Sequence, residues 1–427
     1  MLPSCNRLRT TQEDAPSMPG PGLDLLGAEE LAELADVVAS GHLSRFGPDD
    51  DSFPAKVRHF EELVAELSQT RYALAVNAGT SALFLALVGL GIGPGDEVIV
   101  PGFTFVATIS SVVYARARPV LAEVDESFDL DPIDVEARIT PRTRAIIVVH
   151  MLGNPARLDE LKAVAARHAI PLIEDAAQAF GATYRGRWVG GQAAAGIYSF
   201  NEFKTITCGD GGMLVTDDED LYRRAFAMHD QGHSPNRRGI EVGRRPFLGL
   251  NLRMTELQGA VLLAQVRRLD QIRDHLRANR DIVKEIIGDI PGIRFRALPD
   301  PDGDLATHLV VIFPDAATAT AITSELGSIT LATSGWHVYT HMEHVLTGRT
   351  VTGRGCPFEC TCTDDRPTRY EPGMLPATDG LLGRSMSFSI GVQDPNLAPF
   401  GLRMRDGPDV ARARAERFRS VASRVLA

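Results

Sequence analysis

A lysine and an aspartate, each at the edge of an apolar run, stand where carbonyl chemistry could be placed. Lys204 falls in Ser199-Phe200-Asn201-Glu202-Phe203-Lys204-Thr205-Ile206-Thr207-Cys208-Gly209-Asp210-Gly211-Gly212, between runs 197–200 and 213–216 that read as buried strands. A lysine held in a cleft loses part of its solvation. Its pKa then drops below about 10.4 and leaves the neutral amine that imine formation needs. A solvated surface charge is the competing reading. Asp175 follows the apolar run 171–173, in Ile173-Glu174-Asp175-Ala176-Ala177-Gln178. A carboxylate at a strand exit can keep a pyridine nitrogen protonated, which makes the ring a stronger electron sink. It could equally cap the next helix.

Two further segments offer ligand groups. Asn77-Ala78-Gly79-Thr80-Ser81 comes after a strand and opens a helix. Free N–H groups and the positive dipole end suit a phosphate there, Gly79 permits close approach, and Thr80 and Ser81 add hydroxyls. An ordinary N-cap would look the same. In Gly249-Leu250-Asn251-Leu252-Arg253-Met254-Thr255-Glu256, Arg253 could clamp a substrate carboxylate through paired hydrogen bonds, with a surface salt bridge as the plainer alternative.

The elements that must position these groups alternate in type. Periodicity predicts helices over 27–40, 54–69, 82–89 and 157–168. Short apolar strands are predicted over 72–76, 97–100, 119–124, 145–150, 170–174, 197–200 and 213–216. Strands that alternate with helices imply parallel β–α units and a sheet covered on both faces. Ligands then gather at the carboxyl ends of the strands, where all four segments fall. Beyond this lies a charged helix over 256–287, broken near residue 270. A smaller α+β part follows, with strands 308–313 and 385–390 and a closing helix 409–426. The division expected is a flexible Pro-rich arm over 1–26, a large domain over 27–270 and a small domain over 271–427. Residues 347–374 read as loop.

With 427 residues, 44% hydrophobic and 23% charged, the chain has the profile of a soluble globular protein of two or three domains. There are 44 Lys plus Arg against 55 Asp plus Glu, a formal charge of −11, which argues against a nucleic-acid partner. No apolar run is long enough to span a membrane, and the first residues lack a secretory h-region. Five cysteines without a disulfide-rich pattern fit the cytoplasm. Cys356, Cys360 and Cys362 lack a fourth nearby ligand and the usual paired spacing, so they read as buried or idle thiols, and no metal is expected.

Taken in order, the segments NAGTSALFLAL, GDEVIVPGFTFVAT, IPLIEDAAQAFGATYRG, YSFNEFKTITCGDGGMLVT and GLNLRMTELQGA resemble the DegT/DnrJ/EryC1/StrS family of sugar aminotransferases. The likeness implies an aspartate-aminotransferase-like (type I) α/β fold. It also implies pyridoxal 5′-phosphate held by Lys204 as a Schiff base, with Asp175 on the pyridine nitrogen. By the same resemblance Gln178 lies near the ring and its phenolic oxygen, and Phe105 stacks on the ring face. Gly79, Thr80 and Ser199 belong to the phosphate cradle. Asn251 reaches the phosphate of the neighbouring subunit, which implies a homodimer with shared sites. Asn201 stands where the family commonly has His. Relatives that act as 3-dehydratases put His at the Schiff-base position, so Lys204 favours transamination. The segment YEPGMLPATDGLLGRSMSFSIGV is similar to a branch that aminates the 8-position of an octulosonate sugar.

The expected reaction moves an amino group from glutamate or glutamine to a keto or aldehyde group of a sugar-like acceptor. Three rivals stand beside it. A nicotinamide oxidoreductase is disfavoured because Gly89-Leu90-Gly91-Ile92-Gly93-Pro94-Gly95 lacks G-x-G-x-x-G and follows a helix. A deoxysugar dehydratase or eliminase, and a PLP-fold regulatory protein without turnover, are the others. His337, His341 and Arg384 could face the pocket, though structural roles suit each.

Overall fold

The computed structural model describes residues 19–235, 245–351, 356–358 and 369–427. Seven strands form the main sheet: β1 Tyr72–Val76, β2 Glu97–Pro101, β3 Arg118–Ala122, β4 Thr143–Val149, β5 Leu172–Asp175, β6 Ala195–Ser199 and β7 Gly212–Thr216. Their order is β1-β7-β6-β5-β4-β2-β3. Pairings among β2–β6 are parallel, whereas β7 runs antiparallel to both β1 and β6. The reversal follows from the connection. Residues 200–211 form a loop with no helix, whereas a parallel return needs a longer crossover that is usually a helix.

Strand residues alternate between two buried clusters. Ala73, Ile146 and Val148 pack on one face, and Leu74, Ile147 and Val149 on the other. Each large side chain taken out of water there contributes about 1.5–3 kcal/mol. Helix Gly79–Gly89 is apolar all round and is mostly buried against the sheet, as a fully covered element must be.

The predicted 256–287 helix is two helices, Glu256–Val266 and Leu269–Ile287, interrupted at Arg267 and Arg268. In the second, Leu269, Ile272, Leu276, Asn279, Val283 and Ile287 are buried at spacings of three and four. That stripe meets the C-terminal helix Pro408–Leu426. A second sheet is built from β8 Arg294–Phe295, β9 His308–Ile312, β10 Ser385–Gly391 and β11 Gly401–Arg403, in that order. Helix Ala316–Leu326, which periodicity does not flag, is capped by Asp315, whose carboxylate accepts from the Thr318 N–H at 2.8 Å.

From Pro19 onward the N-terminal segment is packed. Gln265 bridges it to the Lys204 loop: its Nε2 donates to the Gly22 carbonyl at 2.9 Å and its Oε1 accepts from the Thr207 N–H at 2.8 Å. A Cβ on Gly20 would stand 2.6 Å from the backbone of Glu202 and Phe203, so only glycine fits there. On its other side the Pro19 carbonyl accepts from the Gln393 N–H at 2.7 Å.

Cys356 is disulfide-bonded, which corrects the reading of idle thiols. Cys5, Cys360 and Cys362 lie outside the described residues, and Cys208 is free. Among the described residues no helix is long and apolar enough to cross a membrane.

Candidate active site

The carboxyl ends of the parallel strands and the start of β7 open onto one cavity of about 670 Å³. β5 ends on Asp175, β6 on Ser199 and β4 on Val149, while β1 leads to Gly79 and β2 to Phe105. Lys204 lines the same cavity from the loop between β6 and β7.

Asp175 is 3% exposed. Thr108 donates to its Oδ2 at 2.8 Å and the Ala177 N–H donates to its Oδ1 at 3.1 Å. Burial raises its pKa, against the pull of these two donors and of the Lys204 charge. Burial lowers the pKa of Lys204, opposed by Asp175 and Asp394. Each group thus weakens the other's desolvation penalty, and the lysine comes closer to the free amine.

The N-terminus of helix Gly79–Gly89 faces the cavity through Gly79 and Thr80. Its N-cap, Ala78, has no side chain to bond the free N–H groups. A Cβ on Gly79 would lie 2.8 Å from Cβ of Ser199 and 3.1 Å from its Oγ, so an alanine would crowd this cradle. Phe105 is 42% exposed, and its ring centroid is 5.3 Å from that of His337. Gln178 accepts the Leu152 N–H at 2.9 Å through Oε1, so its NH₂ remains the available donor. Asn201 lines the wall with its Nδ2 3.3 Å from Oδ1 of Asp210.

Three expected residues lie elsewhere. The Ser81 hydroxyl donates to Oδ1 of Asn77 at 2.7 Å and does not face the cavity. Asn251 is exposed and is paired across an isolated bridge with Asp230. Arg253 does not line this chain's cavity, and its guanidinium is salt-bridged to the fully buried Asp230. His337 lines the cavity, while His341 and Arg384 do not.

Sequence reading missed Thr108, Thr307, His308, Trp336 and Asp394, all of which line the cavity. Thr108 alone had a signal, a hydroxyl one turn into the helix after Phe105. The others come from the second sheet and its loops, with no motif around them.

A sequence profile of the DegT/DnrJ/EryC1/StrS aminotransferase family matches residues 24–352. GDP-perosamine synthase of Caulobacter vibrioides is 42% identical over 268 residues, which is 62% of this chain and 68% of that protein. L-glutamine:scyllo-inosose aminotransferase of Streptomyces griseus is 37% identical over 336 residues, 75% of this chain and 77% of that one. Among solved structures, DesV of S. venezuelae superposes with a TM-score of 0.74 at 31% identity, covering 96% of this chain and 98% of its own. The likeness extends past the profile match, through the second sheet.

Proposed function

The chain belongs to the DegT/DnrJ/EryC1/StrS aminotransferase family, and from that premise we propose that it transfers an amino group from L-glutamate or L-glutamine to the keto group of a sugar or cyclitol. It is an aminotransferase, and its cofactor is pyridoxal 5′-phosphate. The observation that carries the reading is a single cavity lined by Lys204, Asp175 and the uncapped helix N-terminus at Gly79.

These residues fit the cofactor. An amine of lowered pKa, a buried carboxylate for a ring nitrogen, an anion cradle that a Cβ would crowd and an aromatic face are all present. When bound, the cofactor supplies an exchangeable aldehyde and a ring that delocalises negative charge from a deprotonated carbon. In this reading Lys204 would hold that aldehyde, and its Nζ would take the Cα proton of the donor as general base. Asp175, whose ionised form the Thr108 and Ala177 hydrogen bonds favour, would hold the ring-nitrogen proton. Gly79, Thr80 and Ser199 bind the phosphate, Phe105 covers one ring face, and the Gln178 NH₂ group orients the phenolic oxygen. Residues 27–270 carry this machinery, and 271–427 shape the acceptor side.

A homodimer with shared sites belongs to the same reading. Asn251, exposed and away from its own cavity, would reach the partner's phosphate. Support comes from its neighbours Leu248 and Leu250, 94% and 53% exposed, an apolar strip suited to a subunit contact. A cytoplasmic setting is also part of it, supported by few cysteines, with the Cys356 disulfide weighing against.

Borohydride reduction followed by peptide mapping tests the central assignment. The expected result is the cofactor fixed to the peptide containing Lys204. Label on another lysine, or a protein that takes up no cofactor, overturns it. Light scattering reads the dimer.

A further inference from the structure

Part of the cavity wall is made by residues 307–308, residues 335–337 and the loop after β10. His308 is 4% exposed. Its Nδ1 is 3.0 Å from Oγ1 of Thr307, and the Thr307 hydroxyl also meets the Leu152 carbonyl at 3.0 Å. A hydroxyl has one hydrogen and a carbonyl only accepts. Both bonds form only if Thr307 donates to Leu152 and His308 donates from Nδ1. Nε2 of His308 is then a bare acceptor, and it has no hydrogen-bond partner among the described residues although it is buried.

His337, 7% exposed, repeats the arrangement. Its Nδ1 faces the Ser334 carbonyl at 3.2 Å and must carry the hydrogen, which leaves Nε2 with a lone pair. Burial pushes the two rings down to about 3 and about 4, so both are neutral near pH 7. Asp394 accepts the Asn396 N–H at 2.8 Å on Oδ1, and its second oxygen has no partner among the described residues. Trp336, 58% exposed, adds an aromatic face beside them. Among the described residues that line the cavity, Lys204 is the single Lys or Arg.

We propose that His308, His337 and Asp394 form an acceptor-only wall that binds ring hydroxyl groups of the amino acceptor, and that this face selects a neutral polyhydroxylated ring over carboxylate or phosphate groups. The inference rests on the transaminase reading above and adds the substrate chemistry of this wall. Acceptors with no donor of their own, two of them buried, disfavour an anion against this face and reward a hydroxyl, because a ligand lacking that hydroxyl leaves them unpaired.

The test uses holoenzyme converted to its aminated form with L-glutamate, then mixed with scyllo-inosose, GDP-4-keto-6-deoxymannose or 2-oxoglutarate while the cofactor spectrum is followed. Wild type is expected to react with at least one of the two hydroxylated rings. In Asp394→Asn the ratio of that rate to the 2-oxoglutarate rate should fall at least tenfold, through KM more than kcat. His337→Gln is the second variant, and the bound-cofactor spectrum reports that each is folded. No conversion by L-glutamate or L-glutamine defeats the transaminase reading itself. Normal conversion with no reaction of either hydroxylated ring, or an unchanged ratio in both folded variants, overturns the acceptor wall alone.

Discussion

Thr108 gives its hydroxyl hydrogen to Oδ2 of Asp175 over 2.8 Å, and the pair is buried. This bond favours the ionised carboxylate against the desolvation that raises its pKa. In Thr108→Val the pKa of Asp175 rises further, and the acid limb of the activity profile moves to higher pH. Loss of a hydrogen bond to a charged group costs about 1.5–3 kcal/mol, so cofactor affinity should fall on the order of tenfold or more. Titrating apoprotein with the cofactor at pH 6 and pH 8 checks both, with the larger loss at pH 6.

Lys204→Ala removes the group assigned as base. The donor half-reaction with glutamate should drop by about 10²–10⁴ or more, read as loss of the spectral change in a single turnover. Retained conversion would take the proton away from Lys204.

Gly79→Ala puts a Cβ 2.8 Å from that of Ser199. Overpacking of this kind costs about 1–3 kcal/mol, and here it falls on the phosphate cradle. The cofactor dissociation constant should rise about 5- to 150-fold, while turnover at saturating cofactor changes little. Unchanged affinity by fluorescence titration would remove the helix N-terminus from the cofactor site.

Arg253→Ala separates the clamp from the structural role. Its partner Asp230 is fully buried, and removing one member of a buried ion pair costs about 3–5 kcal/mol. The expected outcome is a clear drop in melting temperature with little change in KM for glutamate at a permissive temperature. A large KM effect in a protein of unchanged stability would restore the clamp.

His229 gives a pH test of stability. Burial, then the nearby Arg45 guanidinium, push its imidazole down to about 3. The unfolded chain binds this proton near pH 6.5 and the native state does not. Stability is therefore lost as pH falls from about 6.5, at roughly 1.4 kcal/mol per unit for this residue. His229→Gln should be less stable at pH 7, with the gap to wild type narrowing by pH 5 in urea melts. A constant gap would show that His229 is protonated in the native state.

How much could be read from sequence divides along the chain. Lys204, Asp175 and Gly79 each sit at the edge of an apolar strand, and the rule that ligands gather at strand ends places all three on one side of the sheet. The direction of β7 was hidden because an apolar five-residue strand looks alike in either orientation. The ion pair of Arg253 with Asp230 could not be foreseen, because that partner is set by folding and not by spacing. His308 and Asp394 were out of reach for the same reason, and of the pocket candidates His337, His341 and Arg384 only His337 lines the cavity. The loop Gly391-Val392-Gln393-Asp394 is about 190 residues from Lys204, and nothing local marks it.

The contact of Gly20 and Gly22 with the loop at 202–207 bears on how the enzyme acquires its cofactor. Some 185 residues separate the two segments, and joining ends that far apart is a late and slow event in folding. The final shape of the lysine loop includes its contacts with the segment at 20–22 and with the Gln265 side chain. Cofactor capture thus waits for the whole large domain, and a nascent chain without its docked leading segment should be spectrally silent.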